Sequence, residues 1–361
     1  MNKNLFDGKV ILITGGTGSL GKTLVRHFLT GNYGIPQQVI VFSRDEAKQH
    51  FMRLSYLHKK HATDEVIYNQ LCERLVFRIG DVRSYNDIKR VLPGVNVVIN
   101  AAALKQVPTC EYFPEQAIET NCTGAANLAQ AVIEGFGNPE TVIAISTDKA
   151  CKPVNVMGMT KAIQERIIVT ANVYTAKTKF LCVRYGNVLA SRGSVIPLFI
   201  DQIQKGETVT ITDKRMTRFL LSLDEAVCTV FSAIEHGNAG EIFVPRIQSA
   251  NVTDVAKVLI GDREIKIRYT EIRPGEKIHE IMISEEETAR VGRRGAYYVI
   301  RCILPEISDR VPNGDEPYDL QGEYSSCDHT MNHSEIRSLL ERNNLKVSDA
   351  RDTPENLTLD N

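Results

Sequence analysis

Lys9-Val-Ile-Leu-Ile-Thr14, then Gly15-Gly-Thr-Gly18-Ser-Leu-Gly21, then Lys22-Thr-Leu-Val-Arg-His-Phe-Leu29 is the stretch that decides the fold. The first segment is a short, continuously apolar run of the kind a buried parallel strand shows. The third carries its apolar residues on one helical face. Between them, glycines allow a tight turn and let the backbone approach a pyrophosphate, which then rests on the helix N-terminus. Turns are rich in glycine anyway, but strand, glycine turn and helix in this order are the context a dinucleotide fingerprint requires. Gly15, Thr17, Gly18, Ser19, Leu20 and Gly21 are the first candidate cofactor-binding residues.

Outward from there, a second strand, Gln38-Val-Ile-Val-Phe42, ends in Ser43-Arg44-Asp45. Sites that select NAD usually present an acid here to the ribose hydroxyls. Ser43 and Arg44 instead offer a hydroxyl and a fork-shaped cation to a 2′-phosphate, which favours NADP over NAD. Asp45 also suits a helix N-cap, and both roles can hold at once; Lys48 joins the set. Residues 58–74 read as a polar insertion, compatible with a helix and without legible chemistry. Leu75–Ile79 is a third strand, ending in Gly80-Asp81-Val82, where the acid can reach an adenine amine. A fourth, over 95–100, ends in Ala101-Ala-Ala103, whose small side chains let a cofactor lie flat or simply pack tightly. Lys105 follows, then a helix over about 114–134. A fifth apolar run, Thr141–Ser146, a helix over about 156–175 and a sixth strand, Phe180–Tyr185, complete the alternation. Alternating β and α units of this kind predict an α/β, doubly wound parallel sheet.

Ser146-Thr147-Asp148-Lys149 ends the fifth run. In open α/β sheets reacting groups gather just past the carboxyl ends of the strands. A hydroxyl, a carboxylate and an ammonium in succession there supply an acid and a base over one small patch. The plainer reading is a strand-end turn with a surface Asp–Lys pair. Cys151 lies alongside, but no histidine neighbours it to make it a nucleophile.

After Gly186-Asn187 the pattern changes. Short strands and helices mix with Arg192-Gly-Ser194, Met216-Thr-Arg218-Phe219 and Arg273-Pro-Gly-Glu276-Lys277. Arginines on loops suit a diphosphate, which they grip bidentately; taken singly, each reads first as a solvated charge. Residues 334–340 predict a short final helix, with Asn332 and Glu335 at capping-box spacing. The polar tail over 345–361 reads as disordered.

With 361 residues, 43% hydrophobic and 24% charged, the composition is that of a soluble globular protein with a sizeable core. A net charge of −1 argues against nucleic acid or an anionic membrane as partner. No apolar run reaches the length of a membrane span, and the polar start, Met1–Gly8, is unlike a signal peptide. The eight cysteines (72, 110, 122, 151, 182, 228, 302 and 327) include no C-x-x-C pair. That predicts reduced thiols in a cytoplasmic protein, with neither disulfide framework nor metal site.

The chain resembles the extended short-chain dehydrogenases/reductases, and within them the UDP-N-acetylglucosamine 4,6-dehydratase family. The residues that carry the resemblance are Ile13–Gly21, Phe42–Glu46, Gly80–Arg83, Ala101–Pro108, Ser146–Ala150, Arg184–Val188, Ser191–Pro197, Met216–Phe219 and Arg273–Lys277, together spread over about 7–344. The resemblance implies a Rossmann-type sheet with a smaller α+β C-terminal substrate domain. Its boundaries are 1–190, with about 220–247, for the NADP domain, and 191–219 with 248–344 for the UDP-sugar domain. It implies a cytoplasmic homo-oligomer acting on UDP-N-acetylglucosamine. The product would be a UDP-2-acetamido-2,6-dideoxy-L-hexos-4-ulose for surface polysaccharide, with inversion at C5. By the same resemblance Thr147, Asp148 and Lys149 are catalytic and Lys161 binds the nicotinamide ribose. Ala101, Ala103 and Met157 line the cofactor, while Lys105 and Asn187 face both cofactor and sugar. Arg218, Arg273 and Glu276 hold diphosphate and uridine, and Val195 and Thr212 line that pocket.

One departure matters. Short-chain dehydrogenases generally use Tyr-x-x-x-Lys, and here the frame reads Met157-Gly-Met-Thr-Lys161. A thioether cannot be the proton acceptor, so acid-base work moves onto Thr147, Asp148 and Lys149. Burial or nearby cations are expected to keep Lys149 neutral. Competing readings are a C5-retaining 4,6-dehydratase, a UDP-sugar 4-epimerase, which normally relies on the missing tyrosine, and a non-enzymatic NADP-binding sensor.

Overall fold

The computed structural model describes residues 2–56, 74–189, 194–310, 315–317, 322–345 and 347. All but the last residue of the insertion predicted over 58–74, residues 190–193 and most of the tail lie outside them. The chain folds as two compact units. One comprises Met1–Tyr185, Leu223–Arg246 and Ile281–Tyr324; the other comprises Gly186–Ser222, Ile247–Glu280 and Ser325–Asn361.

The first unit is built on the predicted strands β1 (Val10–Thr14), β2 (Gln38–Ser43), β3 (Leu75–Ile79), β4 (Val97–Asn100), β5 (Thr141–Thr147) and β6 (Lys179–Tyr185). They are rich in Val, Ile and Leu, which suit a strand covered on both faces. All six run parallel in the order β6-β5-β4-β1-β2-β3. Strand order reverses between β1 and β4, and such a switch point opens a crevice at the carboxyl ends. Thr14 Oγ1 donates to Asn100 Oδ1 at 2.7 Å and ties those two ends together.

The sheet does not stop at six strands. Ile242–Pro245 adds in parallel beside β6, and Tyr297–Ile300, Val291–Arg294 and Glu316–Pro317 follow antiparallel, making ten. Residues 281–324 therefore belong with the first unit, whereas the sequence reading kept 248–344 together. Two of the added strands, Val291–Arg294 and Tyr297–Ile300, form a hairpin turning at Gly295, φ +60°, which strand-helix alternation does not reveal.

Two predicted helices differ in detail. The one over 114–134 is Pro114–Ala117, a π-helical turn Ile118–Thr123, then Gly124–Ile133. The wide turn has both Asn121 and Cys122 buried. The later helix is Val156–Thr170, ending five residues early in a 3₁₀ turn. There the buried Asn172 amide donates to both Val169 and Phe180 carbonyls, at 2.8 Å each.

The second unit has a three-stranded sheet, from Asn187–Val188, Thr217–Leu221 and Ser249–Asn251, and a two-stranded one, from Val209–Ile211 and Ile267–Tyr269. Helices Val195–Gln204, Val252–Ile260 and His333–Arg342 bury Phe199, Leu259 and Ile336 in one core. The last helix carries the predicted Asn332–Glu335 capping box. Among the described residues, no helix is long and apolar enough to cross a membrane, and no group of side chains is arranged to hold a metal.

Candidate active site

The glycine turn leaves β1 with Gly15 at φ +66°. A Cβ on Gly15 would stand 2.8 Å from the Ala102 backbone, and one on Gly21 only 2.4 Å from the Gly16 carbonyl oxygen. The turn is thus pressed against both the end of β4 and the helix Ser19–Thr30. That helix starts at Gly18 with no side-chain cap and no acid in its first turn. Its opening N–H groups and positive dipole end are the donor set a pyrophosphate requires, so these residues fit a dinucleotide.

Thr17 Oγ1 and Ser43 Oγ lie 3.0 Å apart, closing the turn against the end of β2. Arg44 is exposed, its guanidinium 3.7 Å from Asp81 Oδ2. Asp45 caps the next helix, accepting from the Lys48 N–H at 3.0 Å and pairing with Lys48 Nζ at 2.7 Å. Those hydrogen bonds hold its carboxyl below the usual carboxylate range. Asp81 accepts from Arg83 through main chain and guanidinium, at 2.6–3.0 Å. Burial works to raise its pKa, but Arg83 outweighs this and keeps it low. Val82 is buried beside it.

At the end of β5, Asp148 is fully buried and Thr147 and Lys149 are half-buried. Thr147 Oγ1 donates to Asp148 Oδ1 at 2.8 Å, and Lys149 Nζ donates to the same oxygen at 3.0 Å. Asp148 Oδ2 is buried with no hydrogen-bond partner among the described residues, a cost a native site carries where a ligand or proton is to be met. Burial or nearby cations are expected from the sequence around Lys149; it is half-buried, and this carboxylate is bonded to its ammonium. The three groups form one proton-sharing cluster held by a 3₁₀ turn, Asp148–Ala150, that Thr147 caps.

The helix Val156–Thr170 starts at Asn155, whose Oδ1 accepts from the Gly158 N–H at 2.8 Å. Met157 is 5% exposed and packs with Cys110 and Ala117, flanked by Leu104 and Val107. Lys161 is buried, its ammonium donating to the Ile145 carbonyl at 2.5 Å and to Gln164 Oε1 at 2.6 Å. Burial pushes its pKa down to about 8, against the raising influence of Glu165 and nearby thiols. Ala101 and Ala103 are half-buried and Lys105 is exposed, on the loop after β4.

Asn121 escaped the sequence reading. Its side chain accepts from the Leu104 N–H at 2.9 Å and donates to the Leu104 carbonyl and to Thr160 Oγ1, both at 3.0 Å. It joins the Ala101–Lys105 loop to the helix bearing Met157 and Lys161. Its signal was a polar residue inside an otherwise apolar helical face.

In the second unit, Arg218 does not present an open fork. It donates to the carbonyls of Thr217, Lys277 and Ile278 at 2.7–3.0 Å and lies 3.8 Å from Glu280. It therefore clamps the loop that carries Arg273 and Glu276. Arg273 is exposed; the Glu276 N–H donates to the Arg273 carbonyl at 3.1 Å and the Arg273 N–H to Glu276 Oε2 at 3.4 Å, closing a turn between them. Val195 packs on the unit's core, and Thr212 Oγ1 meets Met216 Sδ at 2.9 Å. Asn187 Oδ1 is buried without a hydrogen-bond partner among the described residues.

Residues 11–302 match the model of a family described as polysaccharide biosynthesis protein. A "UDP-glucose 4-epimerase" of Rickettsia canadensis is 40% identical over 344 residues, covering 93% of this chain and 96% of that one. One of the same name from Rickettsia rickettsii is 44% identical over 301 residues, 82% and 84% of the two chains. Neither name is that of a 4,6-dehydratase. Among solved structures, Pen from Bacillus thuringiensis superposes with a TM-score of 0.83 at 30% identity, over 94% of this chain and 99% of that one. DesIV, a dTDP-glucose 4,6-dehydratase from Streptomyces venezuelae solved with NAD bound, gives a TM-score of 0.62 at 22% identity, over 74% and 86%, a likeness of fold alone. The chain belongs to the polysaccharide biosynthesis protein family and has the fold of the extended short-chain dehydrogenases/reductases.

Proposed function

We propose that this protein is an NADP-dependent UDP-N-acetylglucosamine 4,6-dehydratase that inverts C5. The carrying observation is Met157 buried in an apolar cluster, where the usual tyrosine would stand, beside an intact Thr147–Asp148–Lys149 set. The glycine-turn N–H groups take the pyrophosphate, Ser43 and Arg44 the 2′-phosphate, Asp81 the adenine, and Lys161 the nicotinamide ribose. When bound, the dinucleotide supplies a hydride acceptor at C4 and a hydride donor at C6.

Lys149 starts neutral and Asp148 protonated at Oδ2; Thr147 hydrogen-bonds the C4 hydroxyl while Lys149 takes its proton and releases it to solvent, which its half-buried side chain reaches. The C4 ketone acidifies the C5 hydrogen, which Lys149 removes. Asp148, with Oδ1 already held by Thr147 and Lys149, delivers a proton from Oδ2 to the C6 hydroxyl, which leaves as water. The 3.0 Å contact between Lys149 and Asp148 lets the proton taken from C5 pass back to Asp148 after Asp148 has protonated the leaving hydroxyl. Return of a proton to C5 from the opposite face gives the L-configured 4-keto-6-deoxy sugar. The orphan Asn187 Oδ1 suits a hydroxyl or amide donor, and Arg273 and Glu276 suit the uridine diphosphate, with Arg218 holding their loop.

A second reading, UDP-sugar 4-epimerase, is favoured by the name of the Rickettsia relatives. Proton NMR with UDP-N-acetylglucosamine in deuterated water separates the two. A 4-keto-6-deoxy product with deuterium at C5 supports the dehydratase, and its ring couplings report inversion or retention. A galacto isomer formed without loss of water would hand the assignment to the epimerase.

A further inference from the structure

Ser146 and Cys151 bracket the Thr147–Ala150 turn, and the two carboxylates they bond are gripped by one guanidinium. Ser146 Oγ donates to Glu165 Oε1 at 2.5 Å, and Cys151 Sγ lies 3.8 Å from Glu287 Oε2. Arg184, the cross-strand partner of Ser146 between β5 and β6, spends all five of its N–H groups beneath this turn. Nε meets Glu165 Oε1 at 3.0 Å. Nη2 meets Glu165 Oε2 at 2.7 Å and Glu287 Oε1 at 3.0 Å. Nη1 meets Glu287 Oε2 and the Met282 carbonyl, at 2.8 and 2.7 Å.

Arg184, Glu165 and Glu287 are 2%, 3% and 9% exposed. An ion triad this buried is a poor device for stability, since apolar residues of equal volume often serve as well. What it does supply is a fixed geometry. Each carboxylate is tied on several sides: Glu287 Oε2 also accepts from the Ser284 N–H at 3.1 Å, and Glu165 follows Lys161 by one helical turn. Neither can shift without carrying one end of the turn along. We propose that Arg184 is a positioning residue for the Thr147–Asp148–Lys149 turn, fixing its first end through Glu165 and Ser146 and its last through Glu287 and Cys151. The inference rests on those three residues being the reacting set.

The test compares the full-length variants Arg184→Lys, Glu287→Gln and the double variant Ser146→Ala, Cys151→Ala with Lys149→Ala as reference. Each is measured for kcat and KM on UDP-N-acetylglucosamine, cofactor affinity and circular dichroism. Positioning predicts kcat down roughly 10–100-fold, as small misplacements of reacting groups cost, with KM, cofactor affinity and dichroism at wild-type values. If Arg184→Lys does not fold, the double variant decides, because it leaves the triad whole and cuts only its links to the turn. Folded variants with wild-type kcat and a lowered melting temperature would overturn the inference and leave the triad a scaffold. Wild-type turnover in Lys149→Ala would instead overturn the assignment of the reacting set beneath it.

Discussion

A Cβ on Gly158 would stand 2.2 Å from the carbonyl oxygen of Lys149. Gly158, the third residue of the helix Val156–Thr170, is therefore pressed onto the Thr147–Ala150 turn at a distance only glycine tolerates, and helix and turn move as one piece. Gly158→Ala forces them apart. Overpacking of this kind costs about 1–3 kcal/mol, so thermal unfolding should show a lowered midpoint and turnover should fall. An unchanged midpoint with unchanged turnover would mean that helix and turn are free to separate.

Lys149→Ala removes the proposed proton acceptor and leaves the glycine turn untouched. Turnover should fall by about 10²–10⁴, the usual contribution of a positioned acid-base group. Cofactor titration should give the wild-type affinity. Near-normal turnover would refute the mechanism.

Met157 lies in an apolar cluster with Cys110 and Ala117, against which Leu104, Val107 and Val156 pack, and it acts there by volume, not by chemistry. Met157→Leu is close to volume-conserving and should cost less than about 1.5 kcal/mol, with turnover preserved. Met157→Tyr buries a hydroxyl among apolar groups, a penalty of about 1–3 kcal/mol. It should destabilise the fold without creating epimerase activity. A galacto product from that variant would reverse this view.

How much of this could be read from the chain follows from how local each signal is. The strand, glycine turn and helix over 9–29 are contiguous, and so is the turn after β5; both were legible. The hairpin over 291–300 was not, because its partner strand lies some fifty residues away and its own strands are only four residues each. Arg184 reads as one charge in a buried strand; its meaning depends on Glu165 and Glu287, which are neighbours only in space. Arg218 was legible as a loop arginine, but a sequence cannot tell a guanidinium facing a phosphate from one turned onto backbone carbonyls.

Arg44 is exposed, its guanidinium 3.7 Å from Asp81 Oδ2, so its charge is available to a 2′-phosphate. Arg44→Ala should weaken NADP binding while leaving NAD binding nearly intact. A charge-assisted contact of about 1.5–3 kcal/mol predicts a change in the selectivity ratio of roughly 10–100-fold. Equal losses for both dinucleotides would show that Arg44 does not read the phosphate.

Lys161 carries a pH signature with a definite sign. Burial lowers its pKa to about 8 from the ordinary 10.5. Below about pH 8 both folded and unfolded chains hold the proton, and the folded state bears the full cost of burying it. Between about 8 and 10.5 the unfolded chain still binds the proton that the folded one has released. Stability therefore rises with pH through this window wherever Lys161 is the group concerned. The gain approaches an order of 3 kcal/mol at the top of the window. Other groups titrate there too, so the quantity to measure is the difference between wild type and Lys161→Met in urea unfolding at each pH. The lost bonds to the Ile145 carbonyl and Gln164 offset the two proteins by a constant. The pH dependence isolates the ammonium: the wild type should gain on the variant as pH rises. A flat difference would mean that the buried lysine keeps its ordinary pKa.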